Sequence, residues 1–260
     1  MTNHNYFHED NLKLHPERLV IVGFIAADGC ISVPKSGQRK ICFNLCEKDK
    51  SVLDRINSEI CFGARHIYPN RKTRSAMLSI PSDQLCKDLS VFGIVPRKTE
   101  TFTLPLLPEP QMAYFLRGYF YGDGCVYGEG CKRRYHIIGT SSFCHSLRDY
   151  ILSKGVVERA SIYPAKNPVY ANFEVSGRQA QMMSLYLFAD NKMVLLQRKH
   201  VKTVVPVKAT WWTKDEIKQI RNCSSFADVR TFCESTGRSY ESAKTKRRQL
   251  ITKKRAASKP

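Results

Sequence analysis

The hydrophobic pattern of this chain changes period several times, and the changes mark its elements. Residues 19 to 33, LVIVGFIAADGCISV, open with nine apolar or small residues and then meet Asp28 and Gly29. Residues 113 to 127, AYFLRGYFYGDGCVY, do the same and meet Asp123 and Gly124. Both stretches predict helices that stop at an aspartate. Short β-rich stretches bounded by turn residues follow each one: CISV, KICFNL, RHIYP and SAMLSI after the first, CVYG, YHIIGT, ASIYP and ANFEV after the second. DKSVLDRINSEI and FCHSLRDYILSK have helical spacing and fall between the second and third strand of each set. This order predicts an α+β fold, not the strict alternation of a parallel sheet.

The two sets keep a common offset. Asp28 and Asp123 are 95 residues apart, as are the two copies of IYP at Ile67 and Ile162 and the stretches SVLDRI and SLRDYI at Ser51 and Ser146. A repeat of this length is too long for a solenoid and predicts a duplicated unit, with halves at residues 1–105 and 106–206. The proline-rich stretch TLPLLPEPQ, residues 103–111, is the expected joint. Beyond residue 206 the pattern becomes helical. Thr213 and Glu216 stand at capping-box spacing, and SSFADVRTFCES and RSYESAKTKRRQL supply two further helices, separated by a turn at Gly237 with Ser239 as a candidate cap. Residues 207–252 resemble a small Myb-like helix-turn-helix module with Trp212, Ile217, Ile220, Phe226, Val229 and Ala243 as its expected core. Residues 253–260 are expected to form a mobile basic tail.

Charge narrows the function. The 260 residues hold 42 Lys and Arg against 23 Asp and Glu, a formal +19, and such an excess attracts polyanions. Fourteen of the cations and five of the acids fall in residues 207–260, so about half of the excess lies there. The longest apolar run, Leu19 to Ala27, is far below the ~20 residues that a membrane span needs. The polar opening MTNHNYFHEDNLKLHPERL is unlike a secretory leader, so an intracellular location is expected. None of the ten cysteines forms a CxxC pair, which argues against thiolate zinc sites and for reduced thiols.

The two aspartates are the candidate chemistry. Gly23 and Ala27 in the first helix, and Gly118 and Gly122 in the second, are four apart and share a helical face. Small residues at this spacing let two helix backbones approach closely. If the two helices pack on each other, Asp28 and Asp123 emerge together at their ends. A carboxylate at a helix C-terminus opposes the macrodipole by about 0.3–1 kcal/mol, and a divalent cation bound by oxygen ligands, Mg²⁺ above all, would compensate for two of them.

IVGFIAADG (21–29) and LRGYFYGDG (116–124) resemble the two motifs of a LAGLIDADG homing endonuclease in its single-chain form, over most of residues 19–200. The resemblance implies two pseudo-symmetric halves, each with a curved antiparallel sheet and helices, meeting at a two-helix interface and straddling double-stranded DNA as a monomer. It implies Mg²⁺-dependent cleavage of both strands of a long, asymmetric target, with Asp28 and Asp123 and the Ala27 and Gly122 carbonyls as metal ligands. Lys98 and Lys199 correspond to lysines near the scissile phosphate, and Glu47 and Ser142 to water-orienting residues. The sixth motif position, commonly aspartate, is Ala26 in one copy and Tyr121 in the other. Cationic and polar residues of the strand segments, Arg39, Lys40, Asn44, Arg65, Arg74, Arg133, Arg134, Arg159 and Lys166, with Arg71 and Lys72, are the expected DNA contacts, joined by Lys244, Arg247 and Arg248 of the last helix. A maturase acting on intron RNA and a catalytically inactive DNA-binding regulator are the alternative readings.

Overall fold

The protein is described from a computed structural model, in which residues 2–35, 37–128, 132–204, 212–236, 238 and 240–257 are placed. It divides into two compact units, Met1–Val207 and Lys208–Pro260.

In the first unit, α1 (Glu9–Leu14), α2 (Leu19–Asp28), β1 (Gly29–Ser32), β2 (Lys40–Cys46), α3 (Lys50–Cys61), β3 (Tyr68–Asn70), β4 (Ser75–Pro81) and α4 (Asp83–Ser90) form one half. α5 (Gln111–Asp123), β5 (Gly124–Tyr127), β6 (Arg134–Thr140), α6 (Ser141–Ser153), β7 (Ser161–Pro164), β8 (Tyr170–Ser176), α7 (Arg178–Leu187) and α8 (Gln197–Val204) form the other. Each half carries a four-stranded antiparallel sheet, in the orders β1-β2-β4-β3 and β5-β6-β8-β7. The identical order is the structural form of the sequence repeat.

Strand alternation divides each sheet into two faces. In β2, Ile41, Phe43 and Leu45 are buried, while Cys42, Asn44 and Cys46 lie on the more open face. α3 buries Val52, Leu53, Ile56 and Ile60, the 3.6-residue stripe that its sequence shows. α2 differs, because every residue from Leu19 to Ala26 is buried; a helix that is apolar all round belongs in the centre of a core. α1, α4, α7 and α8 are additions to the elements that the sequence pattern predicts. α4 is short but begins with Ser82, whose side chain accepts from the Leu85 N–H.

β3 begins at Tyr68 and β7 at Ser161, so Arg65 and Arg159 lie in the loops before them instead of on strands. Arg65 is tied down there: its backbone N–H donates to Asn57 Oδ1 at 3.1 Å, and its carbonyl accepts from Asn57 Nδ2 at 2.8 Å.

The second unit comprises α9 (Lys214–Asn222), α10 (Phe226–Thr236) and α11 (Tyr240–Ala257) around Ile220, Val229, Phe232 and Ala243. The capping box forms: Thr213 and Glu216 exchange side chain-to-backbone bonds at 2.8 and 3.1 Å. Phe226, expected in the core, is 66% exposed, and Phe232 takes its place, stacked on Trp212. Phe226 opens its helix, and the buried phase runs instead through Val229 and Phe232, three residues apart. α11 runs through residues 253–257 of the expected basic tail, as Lys, Arg and Ala are strong helix formers, and residues 258–260 lie outside the described residues. Gly237 and Ser239 lie outside the described residues.

Candidate active site at the helix seam

α2 and α5 cross with their main chains in contact. A Cβ on Gly23 would lie 1.9 Å from the Phe115 carbonyl oxygen, and one on Gly118 would lie 1.9 Å from that of Val20. Each glycine therefore faces the other helix's backbone, and no larger residue fits without parting them. One turn further on, a Cβ on Gly122 would lie 2.4 Å from the Ala27 Cβ and 3.2 Å from Asp28 Oδ2. The end of α5 thus abuts the Asp28 carboxylate. The glycine after each aspartate is not a left-handed turn residue, since Gly29 and Gly124 are extended at φ −92° and −91°. What requires glycine is contact: a Cβ would press on Ile25 at 2.9 Å and on the Phe120 ring at 2.2 Å.

Two lysines close the helix ends. Lys98, buried, donates from Nζ to the Ala26 carbonyl at 2.7 Å. Lys199 Nζ donates to the carbonyls of Tyr121 at 2.6 Å, Gly122 at 2.7 Å and Phe120 at 3.3 Å. An ammonium has three protons, so Lys199 is saturated by main chain. These lysines offset the negative ends of the helix dipoles, the task that the sequence alone would give to a cation bound by the aspartates.

The electrostatics are crossed between halves. Asp28 keeps an exposed edge, yet the protein packed round it raises its pKa, against Lys199 first and then Lys98. Burial, followed by the Asp28 charge, pushes half-buried Asp123 up to about 6, against Lys98, Lys199 and the Tyr119 hydroxyl. Burial lowers Lys199 to about 8, with Asp28 the foremost opposing charge, and lowers Lys98, with Asp123 foremost. Each carboxylate is thus balanced most strongly by the other half's lysine. Lys98, Tyr119 and Asp123 line a cavity of about 320 Å³ together with Thr99, Thr140 and Tyr170.

Three further residues shape the site without a sequence signal. Tyr119 occupies the fourth motif position, where the first copy has Phe24; its hydroxyl donates to the Ile138 carbonyl at 3.4 Å and lies near enough to Asp123 to oppose the rise of its pKa. Arg198, beside Lys199, forms a two-pronged ion pair with Asp49 of the first half at 2.8 and 2.7 Å. Glu47 and Ser142 are exposed just past the ends of β2 and β6, and among the described residues no hydrogen bond fixes either side chain.

The expected DNA contacts separate into several groups. Lys40 and Asn44 lie on the open face of the first sheet; Arg71, Lys72 and Arg74 are exposed in the β3–β4 turn; Arg159 and Lys166 are exposed around β7. Arg39 is paired with Asp83 at 3.1 Å and Arg134 with Glu174 at 3.0 Å. Arg133 is a correction: it is 7% exposed, and its carbonyl accepts from Gly177. The half-buried Arg247 guanidinium donates to the Cys223 and Ser224 carbonyls at 2.8 and 2.9 Å and so closes the end of α9. Lys244 and Arg248 are exposed on α11.

No family model and no curated protein matches the chain. Solved structures do. The chain is similar to the meganuclease I-SmaMI bound to uncleavable DNA, at a TM-score of 0.50 and 16% identity over 80% of this chain and 97% of that one. It is similar also to mesophilic variants of the homing endonuclease I-DmoI, at a TM-score of 0.51 and 12% identity over 72% and 96%. With two glycine-seamed helices ending in aspartates and two sheets of one topology, the chain has the fold of the LAGLIDADG homing endonucleases.

Proposed function

We propose that this chain is a LAGLIDADG endonuclease that cuts both strands of a specific DNA duplex by hydrolysis. The observation that carries the reading is the seam: Gly23 and Gly118 bring α2 and α5 into backbone contact, so that Asp28 and Asp123 share one end of it with two lysines. I-SmaMI, whose fold this chain resembles, was solved on DNA.

Magnesium fits the residues present. The carboxylates are hard oxygen donors, and their mutual repulsion in a partly buried site leaves them short of positive charge. Gly122 leaves open the space before Asp28 Oδ2 that a Cβ would fill. Asp28 and Asp123 would hold the ion with the Ala27 and Gly122 carbonyls, the latter having a second lone pair beyond its bond to Lys199. When bound, Mg²⁺ supplies Lewis acidity for phosphodiester hydrolysis.

The chain's own groups supply the rest. Lys98 and Lys199 place positive charge beside the two carboxylates, where a phosphate would gain negative charge in the transition state. Exposed Glu47 and Ser142 are available to orient water at the ends of the central strands. The sheet faces, with Lys40, Asn44 and Arg134, suit a major groove, and Lys244 and Arg248 of the C-terminal unit add phosphate contacts.

Cleavage of a randomised duplex library in Mg²⁺, beside Asp28→Asn and Asp123→Asn variants, tests the reading. Cutting by the parent chain, lost in both variants while binding persists, is expected. Binding without cutting by the parent, or full cutting by either variant, overturns it.

A further inference from the structure

Three side chains on the open face of the second sheet form a preset group. Glu174 accepts from the Tyr127 hydroxyl through Oε2 at 2.6 Å and from Arg134 Nη1 through Oε1 at 3.0 Å. Glu174 is 9% exposed, whereas half of the Arg134 side chain reaches solvent. The three come from three strands: Tyr127 stands opposite Arg134 in the β5–β6 ladder, and Glu174 stands opposite His136 in the β6–β8 ladder.

The duplicated scaffold provides an internal control. The matching ladder positions of the first sheet hold Ser32 opposite Lys40, and Ser79 opposite Cys42. That sheet forms with the same strand order and without a carboxylate or a phenol at these positions. The group is therefore not a requirement of the fold. Nor does it serve bulk attraction, because a carboxylate on a face that meets phosphate weakens binding.

What Glu174 supplies is orientation. An arginine with one nitrogen fixed by a carboxylate has lost most of its rotamer freedom before it meets a ligand, and its planar fork projects in a set direction. That fork matches the O6 and N7 acceptors of guanine in a major groove. Resting on the endonuclease reading, we propose that Arg134 reads a guanine in the target and that Glu174, backed by Tyr127, is its positioning residue.

The test is the cleavage profile of the full-length chain on randomised duplexes, compared with those of Arg134→Lys, Glu174→Gln and Tyr127→Phe. The parent should demand guanine at a base pair where Arg134→Lys lowers discrimination by about tenfold or more. Other positions and the salt slope should hold, since lysine keeps the charge. Glu174→Gln and Tyr127→Phe should relax the same base pair by smaller factors. An Arg134→Lys profile identical to the parent's, or a loss spread evenly over all positions, overturns the assignment while leaving the nuclease reading intact. A parent chain that neither cuts nor binds any duplex overturns both.

Discussion

Replacing Gly118 by alanine sets two opposed effects against each other. In an exposed helix this change gains about 1 kcal/mol of propensity. Here the added Cβ would lie 1.9 Å from the Val20 carbonyl oxygen, against a comfortable C···O approach of about 3.3 Å, so α2 and α5 must part by about 1.4 Å. The obstacle is main chain, which cannot rotate aside as a side chain would. A gap of even half to one ångström forfeits roughly a quarter to a half of a contact's dispersion energy, and overpacking a core costs about 1–3 kcal/mol. Taking the upper end and subtracting the propensity gain leaves a net loss of about 2 kcal/mol. In a unit of this size that corresponds to a fall in Tm of roughly 4–8 °C, readable by far-ultraviolet circular dichroism. Gly23→Ala should behave alike, and the double variant should lose less than the sum, because one opening of the seam accommodates both methyl groups. A Gly118→Ala protein that melts at or above the parent temperature refutes the backbone seam.

Asp123, raised to about 6 from the ordinary 3.8, binds more protons folded than unfolded between those values, so its contribution to stability falls as pH rises through that window. Metal-free Asp123→Asn should therefore melt above the parent at pH 7 and close to it below pH 4; equal melting at pH 7 contradicts the buried repulsion. Glu216, held down to about 2 chiefly by Arg238, contributes stability that is present above about pH 4.5 and is lost as pH falls toward 2. Both tryptophans lie in the C-terminal unit, so acid unfolding followed by their fluorescence should move to higher pH in Arg238→Gln. Lys199→Met removes the lysine donor from the Tyr121 and Gly122 carbonyls, that of Phe120 keeping the Gly124 N–H, and should lower stability by about 1–3 kcal/mol; a variant as stable as the parent in denaturant titration counts against the lysine cap. Changing Lys244 and Arg248 together to glutamine should reduce the slope of log binding against log salt by about two, and an unchanged slope places DNA elsewhere.

The parts of this structure visible in the sequence were those carried by local periodicity and stated twice. The motif helices, all eight strands, α3 and α6 follow from apolar spacing, and duplication turned two unremarked aspartates into a pair. α1, α4, α7 and α8 carry weaker signals, being six to ten residues long, and α4 and α7 bury only a few apolar side chains each; Ser82 before Asp83 is the available cue for α4. Arg133 is buried, and charge alone does not show whether a guanidinium reaches water. The Arg198–Asp49 pair spans 149 residues, and no pattern within either segment announces the other. Glu174 sits on β8, and its value arises only when two neighbouring strands bring Tyr127 and Arg134 to it.

Where two helices touch through peptide groups, that point of contact has little means of recognising which partner it holds. At the crossing of α2 and α5, Gly23 and Gly118 meet carbonyls and amide nitrogens common to every polypeptide. A foreign half presenting glycine at the same turn would meet the same main chain at the crossing, and would still have to supply a partner for the Arg198–Asp49 pair. The contrast between Ser79 on one sheet and Glu174 on the other is the kind of independence that such a joint permits.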